Sequence, residues 1–296
     1  MHGYLIGLVG AGIGPSLSPA LHERAADELG IRYLYRRLDL DELGRPATAI
    51  GEILAAARLA GYDGLNVTHP CKRLVLDHLD ELSPDAAAMG AVNTVVFTGG
   101  RAVGHNTDWS GFVRSLALGL PDAPLDRVVL LGAGGAGAAV AHALLTMGAG
   151  LVRILDLDAH RSAALADSLC ARFGTGRAAP ARLDDGGADL TAALGEADGL
   201  VHATPTGMAA HPGLPVPVEL LRSELWVADV VYRPLNTELV AAARARGCRV
   251  LDGGAMAVFQ AVDAFRLFTG VEPDAGRMLA HFKELIAEGH NADARA

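Results

Sequence analysis

Residues 127–149 have the sequence RVVLLGAGGAGAAVAHALLTMGA, in which an apolar segment leads through a glycine-rich turn into an alanine-rich segment. Gly132, Gly134 and Gly137 fit the pattern G-x-G-x-x-G between a predicted strand and a predicted helix, the context that gives this pattern its meaning. Glycines allow a tight turn and let the backbone approach a pyrophosphate, while the start of the helix supplies free N–H groups. The stretch therefore predicts a dinucleotide-binding site.

The next predicted strand, LVRILDLD, ends in the triplet Asp156-Leu157-Asp158. A carboxylate about 20 residues after the glycines can accept hydrogen bonds from ribose hydroxyls, and it repels the 2′-phosphate of NADP. No arginine stands within the triplet to receive that phosphate. The triplet therefore favours NAD as the cofactor. Arg161, just downstream, leaves NADP open, although its charge could instead pair with the two aspartates.

Outward from this stretch, short apolar runs alternate with helical patterns along the chain, which predicts a parallel α/β architecture. In SPALHERAADELG, Ser18 is the expected N-cap, and Pro19 the first helical residue. Residues 184–197 are rich in Ala, Asp and Gly and only weakly patterned. The predicted strands are YLIGLVG, YLYRRLDL, GLNVT, the pair AVNTVVF and AVGH, LVRILDLD, GLVHAT, LWVADVVY and RVLDG, together with the strand before the glycine-rich turn.

The predicted helix TDWSGFVRSLAL could link two domains, and a turn-rich break, GLPDAPLD, follows it. We expect an N-terminal α/β domain of residues 1–108 that binds substrate, followed by a Rossmann-type, doubly wound nucleotide-binding domain of residues 109–253. The C-terminal helices, about 254–296, are expected to return to the first domain.

Composition excludes several functional classes. The 296 residues are 51% hydrophobic with a net charge of -9, so a large core is available and a nucleic-acid backbone is not an expected partner. No apolar run is long enough to span a membrane, and the N-terminus has the pattern of a strand and not of a signal peptide. Cys71, Cys170 and Cys248 are scattered, and the histidines lack ligand spacing, so we expect a cytoplasmic protein without disulfides or a bound metal.

Rare polar residues indicate where chemistry takes place. The chain has only two lysines, and one of them, Lys72, ends the segment GLNVTHPCK. A lysine amine can give and take protons, whereas arginine stays protonated. Of five asparagines, Asn66, Asn93 and Asn106 lie in short motifs at the ends of predicted strands, and Gln260 is the only glutamine. Carboxamides both donate and accept hydrogen bonds, which suits a polyhydroxylated ligand, although a single asparagine can simply form a turn.

Together these motifs resemble the shikimate dehydrogenase family, including its quinate/shikimate branch. The resemblance extends over nearly the whole chain in order. It rests on SLSP (16–19), NVTHPCK (66–72), GAVNT (90–94), GHNTDWSGF (104–112), GAGGAG (132–137), ATPTGM (203–208), DVVYRPLNTEL (229–239) and DGGAMAVFQ (252–260).

The resemblance implies a site for a cyclic hydroxy acid and a nicotinamide cofactor. It implies a Lys–Asp pair at the reacting hydroxyl, matched by Lys72 and Asp108. Contacts to the ring hydroxyls and carboxylate are implied for Ser16, Ser18, Thr68, Asn93, Tyr232 and Gln260. Cofactor contacts are implied for Gly132, Gly134, Gly135, Ala136, Gly137, Asp156, Asp158, Arg161, Thr204, Pro205, Met208, Val231, Gly253 and Met256.

The chain departs from the family pattern at its cofactor triplet and at His202. NADP-dependent members usually carry Asn-Arg-Thr where this chain has Asp156-Leu157-Asp158, and Asn is usual at position 202. The hypothesis is therefore an NAD-dependent dehydrogenase that oxidises the C3 hydroxyl of quinate or shikimate, as in quinate catabolism, with Lys72 accepting the proton. Three alternatives stay open: an NADPH-dependent biosynthetic shikimate dehydrogenase, a dehydrogenase of a related acid such as amino-shikimate, and a non-catalytic metabolite sensor. A homodimer also stays open.

Overall fold

The computed structural model describes residues 3–183 and 187–293. Within these residues the chain forms two compact units. Unit 1 comprises the residues up to Thr107 together with those from Val258 onward, and unit 2 comprises Asp108–Ala257.

Unit 1 is built on a mixed sheet, because its first three strands run parallel and a hairpin follows them. In the described residues the strand order is β2-β1-β3-β5-β6-β4, with β3 and β6 both antiparallel to β5. The predicted pair around Gly99 and Gly100 is confirmed as the β5–β6 hairpin. The elements are β1 (Gly3–Gly10), α1 (Ser18–Glu28), β2 (Arg32–Asp39), α2 (Ile50–Leu59), β3 (Gly64–Val67), β4 (Glu81–Leu82), α3 (Pro84–Met89), β5 (Thr94–Thr98), β6 (Arg101–His105) and α10 (Ala275–Asp293).

Unit 2 has the predicted Rossmann-type architecture. Its six strands in the described residues are all parallel, in the order β12-β11-β10-β7-β8-β9. The elements are α4 (Asp108–Gly119), β7 (Arg127–Leu131), α5 (Gly135–Thr146), β8 (Leu151–Asp156), α6 (Ala159–Phe173), β9 (Ala178–Arg182), α7 (Ala188–Gly195), β10 (Gly199–His202), β11 (Trp226–Asp229), α8 (Glu238–Ala245) and β12 (Arg249–Leu251).

Helix α9 (Gly254–Thr269) contains the division between the two units, which falls after Ala257.

Both faces of the sheet in unit 2 are covered by helices. Along β7, Val128 and Leu130 belong to the apolar cluster that includes residues of α4, α5 and α6, whereas Val129 and Leu131 belong to the cluster with α7 and α8. Successive side chains of a strand point to opposite faces, so a continuous apolar run is what a sheet buried on both sides requires.

Four elements of unit 2 were not predicted individually: α6, β9, α7 and α8. Strand β9 lies at the edge of the sheet and contains Pro180, which pairs with Ile154 of β8. Proline cannot donate to a strand ladder and is confined to edge strands, so the segment lacks the usual strand pattern. Helix α7 lies in the weakly patterned segment, of which residues 184–186 are outside the described residues.

The expected N-cap of the first helix was wrong by one position. Helix α1 begins at Ser18, Leu17 is its N-cap residue, and Pro19 lies in the first turn. The hydroxyl of Ser16 accepts the N–H of Ser18 at 3.3 Å, so the side chain that serves the helix start lies two residues before it. Ser16 thus lies in the loop that precedes α1, and Ser18 is the first residue of the helix.

Candidate active site

The glycine-rich turn of unit 2 leaves room for a ligand at the start of α5. Gly132 has φ of +102°, and a Cβ there would lie 2.7 Å from the carbonyl oxygen of Ala203. A Cβ at Gly137 would collide with the carbonyl oxygen of Gly132. Gly134 is the N-cap residue, and no side chain among the described residues caps the helix. The first N–H groups of α5 are thus left for another acceptor, so the residues present fit a cofactor pyrophosphate.

The carboxylate of Asp156 fastens this turn to the end of β8. The N–H of Ala133 donates to its Oδ2 at 2.7 Å, and the N–H of Asp158 donates to its Oδ1 at 2.9 Å. Each carboxylate oxygen has two lone pairs, so capacity remains for a ribose hydroxyl. Asp156 therefore shapes the turn and can accept hydrogen bonds from a ligand beside it.

Asp158 has a second local role as the N-cap of α6. Its Oδ1 accepts the N–H groups of His160 at 2.9 Å and Arg161 at 3.4 Å. Its Oδ2 lies 3.4 Å from Nε of Arg161, and both side chains are largely exposed. Leu157, which stands between the two aspartates, is 85% exposed and offers a 2′-phosphate no hydrogen-bond donor from its side chain.

His202, which is fully buried, stabilises the loop ATPTGM. Its Nδ1 lies 2.9 Å from Oδ1 of Asp229, and its Nε2 makes a short hydrogen bond with the hydroxyl of Thr204. Asp229 also accepts the N–H of Val231 at 3.0 Å and the hydroxyl of Thr237 at 2.7 Å. One buried network thus holds Thr204 and Val231, two of the predicted cofactor residues.

Of the other predicted cofactor residues of unit 2, Met208 and Gly253 lie on loops, and Met256 lies on α9. Met208 is exposed, and its N–H donates to the carbonyl of Pro205 at 3.1 Å. Gly253 is buried, and a Cβ there would lie 2.6 Å from the carbonyl oxygens of Val230 and Val231. Met256 is buried in the core cluster that includes residues of α4, α5 and α6.

In unit 1, the loop after β1 is organised by an internal carboxylate. Asp39, at the end of β2, is buried. Its Oδ1 accepts the N–H groups of Gly12 at 3.0 Å and Asp41 at 3.1 Å, and its Oδ2 accepts those of Ile13 at 2.7 Å and Gly14 at 3.1 Å. The glycines of this loop therefore bind a side chain of the protein itself. Asp39 fixes the segment that leads directly to Ser16.

Ser16 and Ser18 form a pair of hydroxyl groups at the start of α1. Their Oγ atoms lie 3.3 Å apart, and both residues are half-buried. Arg37 of β2 donates from Nη2 to the carbonyl oxygen of Ser16 at 3.1 Å. Two adjacent hydroxyls can each donate to one oxygen of a carboxylate, which is the chemistry expected of this pair.

The turn after β3 brings Thr68 and Lys72 beside the same loop. The N–H of Ala11 donates to the carbonyl of His69 at 3.0 Å, and a Cβ at Gly10 would collide with Cγ2 of Thr68. The carbonyl oxygen of Lys72 accepts the N–H of Val92 at 2.8 Å, next to Asn93. Thr68 and Lys72 are both half-buried. The motif NVTHPCK thus contacts both the segment before GAVNT's asparagine and the start of the loop that leads from β1 to SLSP.

Asn93 is held by a buried network of short polar side chains. Its Oδ1 accepts the N–H of Thr107 at 2.8 Å and the hydroxyl of Thr94 at 3.0 Å, while its Nδ2 donates to the hydroxyl of Thr107 at 2.9 Å. Asn66 donates from Nδ2 to the hydroxyl of Thr94 at 3.0 Å, and its Oδ1 accepts the hydroxyl of Tyr35 at 2.7 Å. The amide of Asn93 therefore has a defined orientation.

The remaining predicted residues are divided between the units. Gln260 is half-buried on the part of α9 that belongs to unit 1. Asp108 is the first residue of α4 and is buried, and Tyr232 is half-buried in the loop after β11, both in unit 2. Burial raises the pKa of the Cys71 thiol next to Lys72, which favours its protonated form at neutral pH.

Sequence reasoning missed four residues that shape these sites: Arg37, Asp39, Thr107 and Asp229. Asp39 and Asp229 end their strands as Asp156 does, and this shared position is the signal that could have found them. Within the described residues, no helix is long and apolar enough to cross a bilayer, and no cluster of His, Cys, Asp and Glu has the makings of a metal centre.

Comparisons with known proteins agree on one family. Residues 8–95 match the model of the shikimate dehydrogenase substrate binding domain. The chain is 66% identical to shikimate dehydrogenase (NADP(+)) of Streptomyces avermitilis over 95% of this chain and 96% of that protein. It is 49% identical to quinate/shikimate dehydrogenase (NAD(+)) of Corynebacterium efficiens over 95% of this chain and 98% of that protein.

A solved structure gives the same result for the fold. Quinate dehydrogenase from Corynebacterium glutamicum in complex with NAD has a TM-score of 0.87 and 46% identity, covering 95% of this chain and 99% of that one. Ordered sequence motifs, the Rossmann-type sheet and high identity over nearly the full length therefore lead to one conclusion. The chain belongs to the shikimate dehydrogenase family of oxidoreductases.

Proposed function

We propose that the chain catalyses NAD-dependent oxidation of the C3 hydroxyl of quinate, shikimate or both to the 3-dehydro ketone. The observation that carries the choice of cofactor is the carboxylate of Asp156 at the end of β8, next to the glycine-rich turn. It accepts hydrogen bonds from a ribose diol and repels a 2′-phosphate. The relative from Corynebacterium efficiens named for NAD, and the NAD complex of the Corynebacterium glutamicum enzyme, support this choice.

Bound NAD would supply an acceptor for the hydride from C3 of the substrate. The protein's residues perform the remaining tasks. Lys72 takes the proton of the reacting hydroxyl, and Asp108 assists as a hydrogen-bond acceptor. The hydroxyls of Ser16 and Ser18 receive the carboxylate of the acid, while Thr68, Asn93, Tyr232 and Gln260 contact the ring hydroxyls. General acid–base catalysis by a positioned amine contributes about 10²- to 10⁴-fold to such a reaction.

An NADPH-dependent shikimate dehydrogenase is the second candidate. The observation that favours it is the 66% identity to the Streptomyces avermitilis protein, which is named for NADP(+). Arg161 is the first arginine after the triplet, and it already pairs with Asp158. A 2′-phosphate would therefore meet two carboxylates and one shared arginine. This charge balance is the reason why NAD remains our proposal.

Initial rates with quinate and shikimate, each with NAD and NADP, test the proposed function. We expect kcat/KM with NAD to exceed that with NADP by about 10²-fold, because each charge-assisted hydrogen bond to the diol contributes roughly 1.5–3 kcal/mol. A wild type that prefers NADP would overturn the NAD assignment. Absence of turnover with both acids and both cofactors would overturn quinate and shikimate as the substrates, and it would favour a non-catalytic sensor or a dehydrogenase of a different cyclic acid.

Replacing the triplet Asp156-Leu157-Asp158 with Asn-Arg-Thr tests whether the two carboxylates cause the preference for NAD by repelling a 2′-phosphate. Asn keeps an acceptor for the N–H of Ala133, and Thr is also a good N-cap, so the turn and α6 should both be retained. We expect the cofactor preference to move toward NADP. The matched control is Asp167→Asn, which removes an exposed carboxylate elsewhere on α6 and should leave the preference unchanged.

A further inference from the structure

Arg37 places a positive charge beside the serine pair of unit 1. Its side chain is exposed, and Nη2 donates to the carbonyl oxygen of Ser16 at 3.1 Å. Among the residues that the structure describes, it forms no ion pair with a carboxylate. Asp39, two residues later on the same strand, fixes the loop that carries Ser16. The end of β2 thus holds this loop and presents an arginine next to it.

The proposed substrate is an anion, but the predicted contacts to its carboxylate are uncharged. Ser16 and Ser18 donate hydrogen bonds without carrying charge. Lys72 is the only cation among the predicted substrate residues of unit 1, and it is assigned to the reacting hydroxyl. The chain also has a net charge of -9, which repels an anionic ligand at long range. A positive group near the serine pair would compensate for the uncharged contacts and for the long-range repulsion.

We propose that Arg37 recognises the carboxylate of the substrate. It holds the backbone of Ser16 in place through one guanidinium nitrogen and directs its positive charge toward an acid bound at the Ser16 and Ser18 hydroxyls. This inference rests on the proposed function, because it requires a carboxylic acid at that serine pair. Arg37 takes no part in proton or hydride transfer, so its contribution appears in substrate affinity and not in the chemical step.

The chain provides a matched control for the charge. Arg36 is the preceding residue of β2, is also exposed and has no ion pair within the described part of the chain. Side chains of successive strand residues point to opposite faces, so Arg36 has the same charge but not the same position. Arg37→Gln and Arg36→Gln therefore change the net charge equally, and only the first removes the donor to Ser16.

The test compares shikimate with its methyl ester, which lacks the negative charge, using whichever cofactor the wild type prefers. For Arg37→Gln we expect KM for the acid to rise about 3- to 10-fold at low salt, because an exposed charge interaction is modest and screened. We expect kcat for the acid and KM for the ester to stay close to the wild-type values. Arg37→Lys should recover part of the loss, because it keeps the charge. Arg36→Gln should have little effect.

Two results would overturn this role for Arg37. One is an unchanged KM for the acid in Arg37→Gln; the other is an equal rise of KM for acid and ester, which would indicate a purely structural contact with Ser16. A wild type that oxidises neither quinate nor shikimate would instead overturn the proposed function, and with it this inference. A wild type that is active with NADP leaves the test of Arg37 intact.

Discussion

Acidification should destabilise unit 1 through one buried histidine. His22 on α1 is buried, its Nδ1 lies 3.0 Å from the hydroxyl of Tyr33, and its ring packs against Tyr35 and Phe265 at centroid distances of 4.9 and 6.0 Å. Burial lowers its pKa from 6.5 to about 3. The folded state therefore keeps the imidazole neutral, whereas the unfolded chain protonates it as the pH falls below 6.5. Stability is present in full above that pH and is lost progressively on the way down to about pH 3.

The size of the effect follows from proton linkage. One pKa unit corresponds to about 1.4 kcal/mol, so His22 alone should lower the free energy of unfolding by about 2 kcal/mol between about pH 7.5 and pH 5. His22→Phe combined with Tyr33→Phe removes both polar partners and the titrating group. The double variant should lose that part of the pH dependence, whatever the pH-independent cost of repacking.

The assay is urea unfolding followed by far-ultraviolet circular dichroism at both pH values for wild type, double variant and His160→Gln. His160 is exposed on α6, so its replacement should leave the pH dependence as in the wild type. The change in the free energy of unfolding between the two pH values is compared among the proteins. In this comparison the contributions of the titrating groups that the proteins share cancel. An equally steep loss of stability in the wild type and the double variant would refute the reasoning.

Three further predictions concern residues of the two units. Lys72→Met should lower kcat by about 10²-fold or more, while the cofactor affinity measured by calorimetry should stay nearly unchanged. Lys72→Arg should lower kcat almost as much. A near-normal kcat would contradict the role of the amine. Asp39→Asn replaces one acceptor oxygen by a donor that faces backbone N–H groups, so we expect the free energy of unfolding in urea to fall by about 2 kcal/mol. The control Asp41→Asn changes an exposed side chain and should cause no comparable loss. His202→Leu leaves Asp229 without its imidazole partner, so we expect the free energy of unfolding to fall by about 1–3 kcal/mol and KM for the cofactor to rise. An unchanged melting temperature and an unchanged KM would show that the network is dispensable.

The nucleotide-binding fold could be predicted from sequence because its signal is local. The strand, Gly132, Gly134, Gly137 and the helix follow one another without interruption. At Gly132 and Gly137 a Cβ would lie too close to a backbone carbonyl oxygen, so these two positions require glycine. The predicted strands and helices were confirmed wherever apolar periodicity was strong. Strand β9 was missed because its pairing with β8, and not its own composition, makes it a strand.

The candidate site was predictable to the extent that rare residues marked it. Lys72, Asn93 and Gln260 stand out in a chain that uses few lysines and carboxamides. What the sequence does not contain is the support for these residues. The hydrogen bonds that hold Asn93 come from Thr94 and Thr107, ordinary residues whose part depends on where β5 and β6 bring them.

By itself the sequence determined the Rossmann-type unit, the position of a strand-end carboxylate at Asp156 and the family. Only the tertiary structure decided that Asp39 does in unit 1 what Asp156 does in unit 2, binding backbone N–H groups of the loop after the neighbouring strand. It also decided that Arg37 meets Ser16. The physical reason is distance along the chain: these hydrogen bonds join residues more than 20 positions apart, and parallel strand pairing alone brings the two ends together.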